Sequence, residues 1–142
     1  YIEAICQLKD RKGNFIPWTD IRILRRMVRD NLHRNYTPLK TVGHWHYVRA
    51  AEKAHIVPFI KDADVVVNGY LPYELPVHKR YLYRSLKEAV EHFGDAKGKE
   101  DALRRAQRCL GYLEEVDVLE DDSLIPPTSL LREFIGGSVY TG

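Results

Sequence analysis

An α/β layer arrangement is the fold class this sequence predicts, and three observations predict it. The opening run Tyr1-Ile2-Glu3-Ala4-Ile5-Cys6-Gln7-Leu8 reads as a strand. Ala63-Asp64-Val65-Val66-Val67-Asn68-Gly69 sets three β-branched residues ahead of an Asn-Gly turn signal, the pattern of a second, buried strand. Stretches with helical spacing and helix punctuation lie between and after these two runs. The chain has 142 residues and 44% hydrophobic content, enough for one ordinary core, and nothing in its length calls for two domains.

Each element has a local reason. Lys9 to Asn14 is a charged loop containing glycine, and Thr19 or Asp20 then offers an N-cap for a helix running to about Arg34. A second helix takes Thr37 as its cap and Pro38 at its first position, where a missing N–H costs nothing, and ends near His55, ahead of Pro58. After the valine strand, a helix is expected from about Tyr73 to Phe93. Gly94 to Gly98 is a polar break, and Lys99 to Val116 reads as another helix. The acidic run Glu120-Asp121-Asp122 leads to Pro126-Pro127, after which Thr128 can cap a short helix over Ser129–Ile135, stopped by Gly136-Gly137.

Charge is unevenly spread. Residues 1–62 carry 12 Lys and Arg against 6 Asp and Glu, whereas residues 63–142 carry 10 against 14, so the first part of the chain is the part that faces anions. The net charge of +2 lacks the strong basic excess of a dedicated nucleic-acid binder. Cys6 and Cys109 stand alone, without the spacing of a disulfide framework or a zinc site, which suits a reduced, cytoplasmic setting. No apolar run approaches the roughly 20 residues that span a bilayer, so no membrane partner is expected.

The most informative stretch is Asp20-Ile21-Arg22-Ile23-Leu24-Arg25-Arg26-Met27-Val28-Arg29-Asp30. With a helical advance of about 100° per residue and Ile21 at zero, the four arginines fall at about 100, 40, 140 and 80°, within one sector. Ile21, Leu24, Met27, Val28 and Leu32 lie on the opposite side or its borders, which leaves one face for a core and one almost wholly of guanidinium. Solvated charged helices usually set acids three or four residues from their bases. Here Arg22, Arg25 and Arg29 have no acid at either spacing, and only Arg26 and Arg34 can reach Asp30. Clustered guanidiniums repel one another, and their planar forks match phosphate oxygens, so a phosphate ligand would resolve the repulsion.

The pattern Asp20-x-Arg22-x-x-Arg25-Arg26-x-x-Arg29-Asp30-x-x-x-Arg34 resembles the lid helix of the uridine kinase and phosphoribulokinase family of P-loop kinases. Ile56-x-Pro58-Phe59 followed by Ala63 to Gly69 and Tyr73-Glu74-Leu75 is similar to the strand and turn after that lid, and Leu130 to Gly137 resembles the family's C-terminal segment. The resemblance implies a partial P-loop kinase fold, with lid helices over about 19–55 and a strand with C-terminal helices over about 63–142. It also implies ATP and Mg²⁺ as cofactors and a hydroxyl-bearing, nucleoside- or sugar-like acceptor. By position, Arg26 would reach toward the acceptor and Arg29 and Arg34 would contact ATP phosphates. Arg26 and Arg29 are then the catalytic pair, Arg22 and Arg25 secondary phosphate contacts, and His44 and Arg49 the acceptor-facing residues. Asn35 stands where the family has glycine, and Arg49-Ala50-Ala51 where relatives tend to carry Arg-Arg-Gly.

A phosphate-binding loop needs G-x-x-x-x-G-K-[ST] after a strand. The pair Gly98-Lys99 is followed by Glu100, has Gly94 one residue too close, and follows a helix, so it is rejected. The chain therefore reads as the C-terminal part of a kinase whose phosphate loop, and most ligands to Mg²⁺, lie upstream in the same protein; assembly as a homo-oligomer is left open. A non-catalytic phosphate- or RNA-binding module and a regulatory domain derived from the same fold are the alternatives. Among other features, His44-Trp45-His46 lacks a completing ligand for a metal, and Trp45 and Tyr47 suit packing or a pocket edge. Tyr70, Tyr73, Tyr81 and Tyr83 are expected to pack around the second strand and helix, and Glu74 is explained by its place at a helix start.

Overall fold

Helices make up most of the chain in the computed structural model, which describes residues 1–140. Helix α1 spans Trp18–His33, α2 Pro38–His55, α3 Glu74–Gly94, α4 Glu100–Glu114 and α5 Arg132–Ile135, with 3₁₀ turns at Val57–Asp62 and Asp122–Leu124. The strands are β1, Ile2–Glu3, and β2, Val67–Asn68, which pair in parallel with Ile2 opposite Val67 and Glu3 opposite Asn68. The expectation of helices packed with a few strands is met in part: the described residues form a mostly helical fold whose two short strands make one small parallel ladder rather than an α/β layer.

The reason is visible at the ladder's end. Ile5 N–H donates to Asn68 Oδ1 at 3.0 Å, and Asn68 Nδ2 donates to Ile5 O at 3.1 Å, so a side-chain amide takes the place of the next backbone rung. The valine run was expected to be buried, yet Val65, Val66 and Val67 are 64%, 51% and 51% exposed. β-Branching favours a strand through packing with neighbours on the sheet, and a two-stranded ladder supplies few of them.

The helices follow their local signals more closely. Thr37 caps α2, its hydroxyl accepting from Lys40 N–H at 3.4 Å, and Pro38 opens the helix as expected. At α1 the cap differs from expectation. Pro17 holds the cap position, and Asp20 turns away to accept from Arg108 at 2.6 and 2.8 Å and from the Tyr112 hydroxyl at 3.0 Å. A carboxylate that can gain a bidentate guanidinium on α4 has more to gain there than at the helix end. The last helix is shorter than predicted and begins from Leu131 rather than Thr128, but its stop is as read, with Gly136 and Gly137 at φ +88° and +76°.

The core is built where the helical spacing put it. Ile21, Leu24, Met27 and Val28 of α1 are fully buried, together with Val42 of α2, Leu82 and Leu86 of α3 and Leu113 of α4. Each such large side chain contributes about 1.5–3 kcal/mol by leaving water. Leu32, placed on the border of this face, is 42% exposed. Tyr70, Tyr73, Tyr81 and Tyr83 pack against the core, as expected. Helix α1 lies against α2, α3 and α5, and this sets the walls around its arginine face. Both cysteines are free and buried, and among the described residues no helix is long and apolar enough to cross a membrane.

Candidate functional site

Arg22, Arg25, Arg26 and Arg29 do share one face, and together they wall a cavity of about 310 Å³. Trp45 and Val48 of α2, the β1 segment Ile2 to Ala4, and Leu130, Glu133 and Phe134 near α5 complete it. The helical spacing thus brings the four guanidiniums to one cavity. Their partners are another matter.

Arg25 is held most tightly. Its Nε and Nη2 donate to Glu74 at 2.8 and 2.6 Å, and Nη2 also donates to Gly69 O at 2.6 Å. Its guanidinium lies 5.2 Å from the centroid of the Phe134 ring. Glu74 is 0% exposed and takes a further bond from Leu71 N–H at 2.8 Å, with His78 Nε2 3.4 Å away. Burial pushes the Glu74 carboxyl upward, but Arg25 and then His78 outweigh it, and the result lies below the ordinary carboxylate range. The helix-start explanation of Glu74 is thus incomplete, because the residue is chiefly the buried counter-ion of Arg25.

Arg22 is likewise committed, bridging Glu3 and Glu52 at 3.1 Å each. Arg49 joins the same buried Glu52 at 2.6 Å, and both guanidiniums lie over the Trp18 ring, at 5.7 and 5.1 Å from its centroid. Arg49 was read as an acceptor-facing residue. Its guanidinium instead belongs to this latch between α1 and α2, and it is not among the residues that wall either cavity on the arginine face. The repulsion between Arg22 and Arg25, which a phosphate ligand was expected to resolve, is relieved by carboxylates of the chain itself.

The C-terminal end of α1 is arranged differently. Arg26 Nε, Arg29 Nη2 and Arg34 Nη1 converge on Asp30 at 3.2, 3.0 and 3.6 Å, so three guanidiniums share one carboxylate that is 3% exposed. Asp30 O also accepts from the backbone N–H groups of Arg34 and Tyr36 at 3.1 and 3.0 Å. Between them Asn35 adopts φ +50°, a left-handed conformation that asparagine tolerates better than most residues other than glycine. Three cations on one anion leave positive charge in excess, and Arg26 and Arg29 present it to the cavity while remaining partly accessible.

His44 does not reach the larger cavity. It lines a neighbouring one of about 220 Å³, with Arg26, Asp30, Arg34, Tyr36, Thr41 and Val48, and its Nδ1 lies 2.6 Å from the Tyr36 hydroxyl. Trp45 is 3% exposed and forms part of the cavity edge, while Tyr47 is 68% exposed and rests on His46. Among the described residues no three His, Cys, Asp or Glu side chains come together as a group that could hold a metal ion. Sequence reasoning missed Glu3, Glu52 and Trp18 as parts of the arginine network. Two of these pairs follow the helical rule of three or four residues, Glu52 with Arg49 and Trp18 with Arg22, whereas Glu3 and the pairing of Arg22 with Glu52 join distant parts of the chain and follow no local rule.

In comparisons with known proteins, no family model, no curated protein and no solved structure matches this chain.

Proposed function

We propose that the chain supplies the arginine lid and C-terminal region of an ATP-dependent phosphotransferase of the uridine or nucleoside kinase type. In this reading the phosphate-binding loop and the ligands to Mg²⁺ come from another part of the same protein. The observation that carries it is the convergence of Arg26, Arg29 and Arg34 on the single carboxylate of Asp30 beside an arginine-walled cavity. In γ-phosphoryl transfer the protein mainly positions the reactants and stabilises spreading negative charge, and one well-placed arginine contributes about 10³ to 10⁵ in rate. Arg29 and Arg26 are the residues assigned that role; Arg34 adds charge at the rim. The acceptor bears a hydroxyl group.

The test is calorimetric titration with ATP of the whole protein, the part that carries the phosphate-binding loop included, repeated on Arg29→Ala. Loss of one charge-assisted contact predicts an affinity about tenfold or more lower, with the folded state melting within a few degrees of the parent. Equal affinity in the two proteins would remove the assignment. Where the protein also transfers phosphate to a hydroxyl acceptor, Arg29→Ala should lower kcat far more than stability.

A second reading is favoured by a specific observation. Arg22, Arg25 and Arg49 are engaged by Glu3, Glu52 and Glu74, and such internal compensation suits a non-catalytic phosphate- or RNA-binding or regulatory domain. That reading predicts binding that falls steeply with salt and shows little preference among polyanions.

A further inference from the structure

Ahead of α1, a charged loop stands beside the end of α4. Lys9 and Phe15 pair as an antiparallel bridge, and Ile16 N–H donates to Leu8 O at 3.0 Å. Asp10 turns into the loop, where its carboxylate accepts from the N–H groups of Lys12 and Asn14 at 2.9 Å each, and Gly13, at φ +81°, reverses the chain. With Asp10 so occupied, Lys9, Arg11 and Lys12 remain exposed next to two apolar side chains, Leu8 at 40% and Phe15 at 62% exposure. The Lys9 ammonium lies 5.0 Å from the centroid of the Phe15 ring.

The adjoining surface has the opposite sign. Helix α4 ends at Glu114, with Glu115 and Asp117 directly after it, and Arg11 Nε lies 3.5 Å from Glu115 Oε1. Glu114 and Asp117 are exposed and form no salt bridge among the described residues. Arg108, two turns earlier on α4, is already held by Asp20. Val118, next in the chain after Asp117, is 37% exposed.

We propose that this surface is a self-association site, on which the cationic loop of one copy of the chain lies against the acidic end of α4 in a second copy, and the reverse. A patch with both signs side by side is complementary to itself across a twofold axis, where every contact is made twice. Leu8, Phe15 and Val118 supply apolar area to be covered at the same time. An anionic membrane or a nucleic acid drawn to Lys9, Arg11 and Lys12 would meet Glu114 and Asp117 as well, and like charges repel. The link from Arg11 to Glu115 is no obstacle, because the Arg11 side chain is 75% exposed and such a pair exchanges partners at little cost. The loop is held by its own hydrogen bonds before contact, so it loses little freedom on association. None of these residues lies on the arginine face, so the inference goes beyond the phosphotransferase reading and does not depend on it.

Sedimentation velocity on the whole protein tests it. A dimer should form at high micromolar concentration in low salt and weaken about tenfold or more between roughly 0.05 and 0.5 M salt. Arg11→Glu with Lys12→Glu should abolish it, and so should Glu114→Lys with Glu115→Lys, since each double change sets like charges against each other. Mixed in equal amounts, the two reversed proteins should associate again, because each then meets its complement in both contacts. Phe15→Ser should weaken the dimer at both salt levels. Circular dichroism checks that every variant is folded; Lys12→Glu alone, at a side chain with no ion pair among the described residues, should still weaken association about threefold or more. A parent that stays monomeric would overturn the proposal, as would a dimer that withstands either double reversal or reversed proteins that remain apart when mixed. The same holds if the parent is monomeric and its loop instead binds phosphatidylserine-containing vesicles or a single-stranded RNA oligonucleotide, with binding lost in Arg11→Glu with Lys12→Glu.

Discussion

Two ends of one helix face carry the same residue and are built on different electrostatic plans. Toward the start of α1, Arg22 and Arg25 are matched by carboxylates from β1, α2 and α3, so their charges join elements together. Toward its end, Arg26, Arg29 and Arg34 divide one carboxylate among them. A guanidinium matched by a buried partner is part of the fold, while one that shares its partner keeps unspent capacity for an anion from outside. Alignment on a helix face does not distinguish these states; the count of carboxylates behind the face does.

The largest loss is expected from Arg25→Ala. It leaves Glu74 buried without its main counter-ion, and removing one member of such a pair costs about 3–5 kcal/mol. Urea denaturation should show the loss directly, and a cost below about 1 kcal/mol would place Arg25 among the ligand-gripping residues after all. Acid supplies a companion test. The Glu74 carboxyl is depressed in the folded chain, so the stability it lends is fully present above its ordinary value of 4.5 and is lost as pH falls through its lower folded value. The parent protein should therefore lose stability steeply below about pH 4.5. In Arg25→Ala that acid limb should flatten, because the cation that holds the carboxyl down is gone.

The other end of the face yields a middle-sized effect with an unusual remedy. Asp30→Asn removes the only charge that Arg26, Arg29 and Arg34 share in the described network, yet all three remain partly hydrated, so the cost should be about 1–3 kcal/mol. An asparagine side chain still offers one acceptor, and Asp30 O keeps its bonds to Arg34 and Tyr36. Added inorganic phosphate should then raise the Tm of Asp30→Asn more than that of the parent, since a ligand stabilises the form that binds it more tightly. Equal shifts in the two proteins would mean that the excess charge is not available to an anion.

What could be read from the chain alone divides along the range of the interaction. The stripe of Ile21, Leu24, Met27 and Val28 and the Thr37-Pro38 start depend on residues within two turns, and they are where the spacing put them. The arginine face was legible for the same reason. Its neutralisation was not, because Glu74 stands 49 residues from Arg25, and no single-chain pattern links them. The strands failed for a related reason: three valines announce a preference for sheet, but a sheet needs partners, and here Asn68 closes the ladder after two residues. His44, expected to face the acceptor with Arg26 and Arg49, shares a cavity with Arg26 but not with Arg49, and its contact with Tyr36, which follows the left-handed turn at Asn35, had no signal in the sequence.

The least effect is expected at Arg34. Arg34 lies just past the helix, 3.6 Å from Asp30, with its side chain 58% exposed, and its backbone N–H rather than its guanidinium closes the last turn onto Asp30 O. Alanine keeps that backbone bond and removes only an exposed ion pair, which is worth about 0.5 kcal/mol or less and is screened by salt. Denaturation of Arg34→Ala in low and high salt should therefore differ little from the parent, and the small difference should shrink as salt rises. A loss above about 1 kcal/mol that persists in high salt would show that Arg34 belongs with Arg25 as a structural cation, and the contrast between the two ends of α1 would fail.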